Sequence, residues 1–128
     1  MRLLLDTHAL LWTLSGSPRL SRAARAAIAD EANTLVVSAA SAFEITTKFR
    51  LGKLPEFQEI AARFPAILDD YDRERLAVGM DHAALAGALP FAHGDPFDRL
   101  LIAQARIERI PMVSNEKPFD DFGVERLW

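Results

Sequence analysis

The chain has 128 residues, 50% of them hydrophobic and 26% charged, with a net charge of −3 and no cysteine. That length suits one domain, residues 1–128, able to bury roughly two thirds of its unfolded surface in a single core. Disulfides, thiol chemistry and cysteine zinc sites are excluded, and a reducing cytoplasm is compatible.

Arg2 to Leu5 is a short apolar run without helical period and predicts a buried strand with Asp6 at its carboxyl end. The acid cuts the run short, so neither an export signal nor a membrane span is expected. Ala9-Leu10-Leu11-Trp12 opens a helix that Asp6 or Thr7 can cap, and Ser15-Gly16-Ser17-Pro18 breaks it. A second helix runs from Ser21 to about Glu31. Thr34 to Val37 is the second buried strand, closed by Ser38, and a helix over Ala39 to Arg50 follows. Ser41-x-x-Glu44 has the spacing of a capping box. The start at Ser38 is favoured because Ser38 follows the strand directly, and it puts Glu44 a turn and a half inside the helix, where an unpaired acid is costly.

Leu51 to Pro55 reads as a turn, Glu56 to Asp70 as a helix bent at Pro65, and Arg75 to Val78 as a third strand. Asp81 is expected to cap the next helix, and Pro90 to Gly94 to form a loop. Asp95-Pro96 then opens a strongly apolar helix reaching about Arg109, since Asp accepts from first-turn N–H groups and Pro at the first helical position needs none. Ile110 to Val113 is a strand closed by Ser114-Asn115-Glu116, and Val124 to Leu127 a terminal edge strand.

Strands separated by helical crossovers predict an α/β fold: a three-layer α/β/α sandwich with a central, mostly parallel sheet of four to five strands. In such sheets ligands bind where the strands' carboxyl ends line up. Asp6 and Glu116 follow two of those ends, Glu44 lies a short helical stretch beyond a third, and Asp98 opens a helix from the same edge. Carboxylates crowded together raise one another's pKa unless a cation compensates, and oxygen ligands without His or Cys suit Mg²⁺ or Mn²⁺. A net negative chain can meet phosphates through such ions.

Rival chemistry lacks parts. There is no nucleophile elbow, Walker loop or dinucleotide fingerprint. His8, His82 and His93 show no metal-type spacing and read as surface or loop histidines; His8, two residues after Asp6, has the best claim to the site. Arg99 at the site's mouth reads equally as a phosphate holder or as the partner of a neighbouring acid. Lys48, one turn beyond Glu44, reads as an ordinary surface ion pair. Trp12, Phe43, Phe49, Leu51 and Leu54 read mostly as core, with a few forming a groove for a partner helix.

Leu3-Leu4-Leu5-Asp6-Thr7-His8-Ala9-Leu10-Leu11-Trp12, Ser38-Ala39-Ala40-Ser41-Ala42-Phe43-Glu44-Ile45, His93-Gly94-Asp95-Pro96-Phe97-Asp98-Arg99 and Val113-Ser114-Asn115-Glu116 together resemble, in order and spacing, the PIN-domain toxins of VapC type. The resemblance implies a cytoplasmic Mg²⁺- or Mn²⁺-dependent endoribonuclease of a type II toxin–antitoxin pair, dimeric, and held inactive by an antitoxin of VapB or similar type. It implies Asp6, Glu44 and Asp98 as core acids, with a fourth acid at position 116, where the pattern has Asp and this chain has Glu116. Asp95 reads first as helix cap and second as ligand. Two other readings stand beside it. One is a binding protein whose acidic pocket docks a basic partner segment; the other is a phosphatase with Asp6 as nucleophile, against which His8 stands where a second acid is needed.

Overall fold

The computed structural model describes residues 1–90 and 94–128. His93 and the middle of the expected 90–94 loop lie outside the described residues. Five strands, β1 (Arg2–Leu5), β2 (Thr34–Ser38), β3 (Glu74–Leu76), β4 (Met112–Val113) and β5 (Arg126–Leu127), pair in the order β3-β2-β1-β4-β5. Every pairing is parallel, with Leu3 beside Leu35 and Leu5 beside Val113. The sheet is thus wholly parallel, and the terminal strand lies at its edge as expected.

Side chains alternate across β1. Leu3 and Leu5 join Val37 and Val113 against α1 (Thr7–Ser15), α2 (Arg22–Ala29) and α5 (Phe64–Asp70), with Leu10, Leu11 and Phe64 in that core. Leu4 joins Val36 and Met112 on the opposite face, under Leu101, Ile102 and Ala105 of α7 (Pro96–Glu108) and under Phe119 and Phe122. Two cores on two faces of one sheet make the three layers, and apolar burial on both sides is why the strands carry continuous apolar runs. Among the described residues, no helix is long and apolar enough to cross a membrane.

Helix starts decide where the acids stand. Asp6 rather than Thr7 caps α1, its Oδ1 accepting from Ala9 N at 2.7 Å. Ser38 caps α3 (Ala39–Arg50), its Oγ accepting from Ala40 N at 3.0 Å, so the capping-box alternative at Ser41 is not used. Asp95 caps α7, accepting from Phe97 N at 2.9 Å and Asp98 N at 3.2 Å.

Four expectations are corrected. The helix over Glu56 to Asp70 is three pieces: a 3₁₀ turn at Pro55–Phe57, α4 (Gln58–Ala62) and α5, with the break at Arg63, because Pro65 carries no N–H for a continuous ladder. β3 begins one residue earlier than expected and ends at Leu76. Gly79, not Asp81, precedes α6 (Met80–Ala88): its N–H donates to His82 Nδ1 at 2.9 Å, which places His82 in the interior rather than on the surface. Residues Lys117–Phe122 form a 3₁₀ helix where none was expected, seating Phe119 and Phe122 in the core.

Candidate metal centre

Because the sheet is wholly parallel, β1, β2 and β4 deliver their carboxyl ends to one edge. Asp6 leaves β1 there, 5% exposed. Its backbone N–H donates to Val113 O at 3.1 Å, which ties the ends of β1 and β4 together. The buried Ser114 hydroxyl bonds the Asp6 carboxylate, and Ser114 Oγ accepts from Glu116 N at 3.0 Å. Burial pushes the Asp6 carboxyl up to about 6; the Ser114 and Ala9 hydrogen bonds oppose the rise, while the charges of Glu116 and Glu44 add to it.

Glu44, 3% exposed, projects inward from the second turn of α3. The Thr7 hydroxyl donates to its Oε1 and lies 3.0 Å from Ser41 Oγ. The Lys48 ammonium donates to its Oε2 at 2.5 Å. Burial disfavours that ammonium, but the Glu44 hydrogen bond and the charges of Glu44, Asp95 and Asp98 more than offset it, so Lys48 titrates above an ordinary lysine. Asp98, in the first turn of α7, is half-buried, and Glu116 is exposed.

The structure therefore brings Glu44 and Glu116 within electrostatic reach of Asp6, and Asp95 and Asp98 within reach of the Lys48 that holds Glu44. One oxygen of Asp95 serves as the expected cap. Two other expected participants have partners of their own among the described residues. Arg99 donates to the carbonyls of Ala86 (2.9 Å), Gly87 (3.3 Å) and Leu89 (2.7 Å), bracketing the end of α6 to α7. Exposed His8 stacks against Trp12 at 5.5 Å between centroids and lines a cleft with Arg19, Lys53 and Glu56.

The donor set is carboxylate and hydroxyl oxygen, which suits a hard divalent cation. As the side chains stand, no three of the described His, Asp and Glu residues converge closely enough to hold one ion. Both oxygens of Glu44 are already engaged. Sequence reasoning missed Thr7, Ser114 and Lys48 as members of the site; for the first two the signal was a hydroxyl residue next to an acid at a strand end. Of the five apolar residues singled out, Trp12 and Leu54 are core, but Phe43, Phe49 and Leu51 are exposed, a correction to the mostly-core reading.

A five-stranded parallel sheet with acids gathered at one edge defines the class, and a PIN-domain family model matches residues 3–125. The chain belongs to the PIN-domain family. Among solved structures it is similar to VapBC2 from Rickettsia felis bound to a DNA fragment from its promoter, with 16% identity, a TM-score of 0.70, and 100% of each chain covered. It is similar also to VapC20 of Mycobacterium tuberculosis, a sarcin-ricin loop cleaving toxin, with 16% identity, a TM-score of 0.72, and 95% of each chain covered. The FitAcB structure from Neisseria gonorrhoeae aligns at 16% identity and a TM-score of 0.69, covering 97% of this chain and 95% of that one. No curated protein sequence shows a significant match.

Proposed function

We propose that this chain is a VapC-type toxin: a cytoplasmic, Mg²⁺- or Mn²⁺-dependent endoribonuclease that hydrolyses RNA phosphodiester bonds and is held inactive by a cognate antitoxin of VapB or similar type. Asp6, Glu44, Asp98 and Glu116 are the acids assigned to catalysis and metal binding. The observation that carries the reading is Asp6, a buried carboxyl raised to about 6 whose neighbours Glu44 and Glu116 add negative charge instead of relieving it. An environment that opposes a carboxylate's charge is stable only at a cost, and such costs concentrate at functional sites.

Asp6 is held by the α1 cap and Ser114, and Asp98 is carried in the first turn of buried α7. Glu44 is oriented by Thr7, whose hydroxyl also lies against Ser41. Glu116 stands exposed at the start of a 3₁₀ helix, and its charge is felt at Asp6. A bound Mg²⁺ or Mn²⁺ would supply the activated water and offset charge on the phosphodiester. The antitoxin is supported by the toxin–antitoxin complexes among the structural neighbours, and exposed Phe43, Phe49 and Leu51 on and beside α3 offer an apolar surface to it or to a second copy of the chain.

The alternative of an acidic pocket that docks a basic segment draws on one observation, the ammonium seated on Glu44, but that ammonium belongs to the chain itself. Calorimetric titration with Mn²⁺, run beside cleavage of end-labelled RNA, separates the readings. Wild type is expected to bind the ion saturably and to cleave only when a divalent ion is present. Asp98→Asn is expected to lose at least about 100-fold of the cleavage while keeping its circular dichroism spectrum. Cleavage persisting in EDTA, or an Asp98→Asn rate equal to wild type, would refute the proposal.

A further inference from the structure

We infer that Lys48 is a built-in counter-cation of the acidic site: in the metal-free protein its ammonium holds Glu44 among the acids, and a divalent ion enters by displacing it. The inference rests on the reading of the site as a metal centre.

An i, i+4 Glu–Lys pair on a helix surface is weak because both ends are solvated. The Glu44–Lys48 pair differs in burial: the Glu44 side chain is 5% exposed and Lys48 31%. Thr7 takes the other Glu44 oxygen, so the carboxylate has no oxygen facing away from a partner. The same ammonium lies in the field of Asp95 and Asp98, at the start of a different helix. One positive charge thus faces acids from α3 and from the α7 start, where the metal reading puts a cation.

Two cations on one carboxylate oxygen repel strongly in a poorly solvated pocket. An ion taking the Glu44 oxygen that Lys48 holds must therefore move Lys48 away, and the side chain permits this. Lysine is a compact charge on a flexible four-carbon stem, and this one keeps a third of its surface in solvent, so the head can swing outward while the stem stays packed. The buried Glu44 charge is then compensated in both states, which keeps the metal-free fold intact and lowers the affinity for the ion.

The chain has three lysines, Lys48, Lys53 and Lys117, so the test runs on wild-type protein. Brief acetylation with an N-hydroxysuccinimide ester, read by mass spectrometry, is expected to modify Lys48 at least about fivefold more slowly than exposed Lys53 and Lys117 in EDTA. Saturating Mg²⁺ is expected to accelerate Lys48 at least about threefold and leave the other two unchanged. Lys48→Met should bind Mn²⁺ at least about tenfold more tightly by calorimetry, and Lys48→Arg should stay near wild type. Mg²⁺ that binds without changing Lys48 labelling overturns the inference and leaves the nuclease reading standing, as does a Lys48→Met affinity no tighter than wild type. If Lys48→Met does not fold, the wild-type labelling decides. Failure of every form to bind a divalent ion overturns both.

Discussion

Replacing Asp6 by Asn is expected to make the metal-free protein more stable while abolishing its chemistry. Asparagine keeps the side-chain oxygen that accepts from Ala9 N at the α1 cap, and it removes the charge. In the folded protein the Asp6 carboxyl titrates at about 6 against 3.8 as an isolated group, so at neutral pH folding must bury in charged form a group that the interior prefers neutral. Between those values the native state binds more protons than the unfolded one. Stability therefore falls as pH rises through that window, and it levels off above about 6. The penalty at pH 7.5 is about 3 kcal/mol. For a chain of this length it corresponds to roughly 10 °C in melting temperature. Calorimetric or fluorescence melts in EDTA should show Asp6→Asn above wild type by up to that amount at pH 7.5, with the gap closing toward pH 4. Saturating Mg²⁺ should raise wild type alone, by about 3 kcal/mol at a hundredfold excess over its dissociation constant. A variant less stable than wild type at pH 7.5 in EDTA, or a gap that does not depend on pH, would refute the assignment of Asp6 as a carboxylate buried against its own preference.

Two further substitutions probe the frame around the site. Arg99→Ala should cost about 2 kcal/mol in urea unfolding, because the carbonyls of Ala86, Gly87 and Leu89 lose their shared donor, and amide exchange should accelerate in α6 before the rest of the sheet. Gln104→Leu should cost about 2–4 kcal/mol by the same measurement, since fully buried Gln104 accepts from the Ser38 hydroxyl and donates to Ala77 O, and leucine leaves both unpaired; a neutral result would show that these groups find other partners.

Which parts of this fold can be read from sequence follows from how local their causes are. β1 and β2 are continuous apolar runs ended by Asp6 and Ser38, and strand and cap signals there lie within a few residues, so both strands and the starts of α1, α3 and α7 are legible. The α3 start also foretells Glu44 facing inward. The break at Arg63 and the Gly79 cap depend on a choice between nearly equal local options. In the first, Pro65 is tolerated in the first turn of a new helix; in the second, the cap falls two residues before Asp81, with the His82 ring nitrogen accepting from Gly79 N and Asp81 accepting from His82 N. The 3₁₀ helix at Lys117–Phe122 is short and carries Pro118 at its start, the Phe119/Phe122 spacing and Gly123, at φ 76°, as its signals. Long side chains are least legible. Nothing near Arg99 in the chain says that its guanidinium crosses to α6, and the Glu44–Lys48 spacing looks the same whether the pair is solvated or buried.

The site also explains how so many acids coexist with one nearby ammonium. α1, α3 and α7 all begin at this edge, capped by Asp6, Ser38 and Asp95. Each helix start presents unpaired N–H groups and the positive end of its dipole, which favours negative charge close by. Asp6 and Asp95 draw on this directly, with Ala9, Phe97 and Asp98 N–H groups as their donors. Glu44, deeper in α3, lies beyond the first turn and receives no such bond, and it is the acid that carries Lys48. The division follows from distance along the helix: acids at caps are stabilised by backbone, and the acid in the helix interior needs a mobile cation. A divalent ion then has one soft point of entry, at Glu44, while Asp6 and Asp95 stay where the backbone holds them.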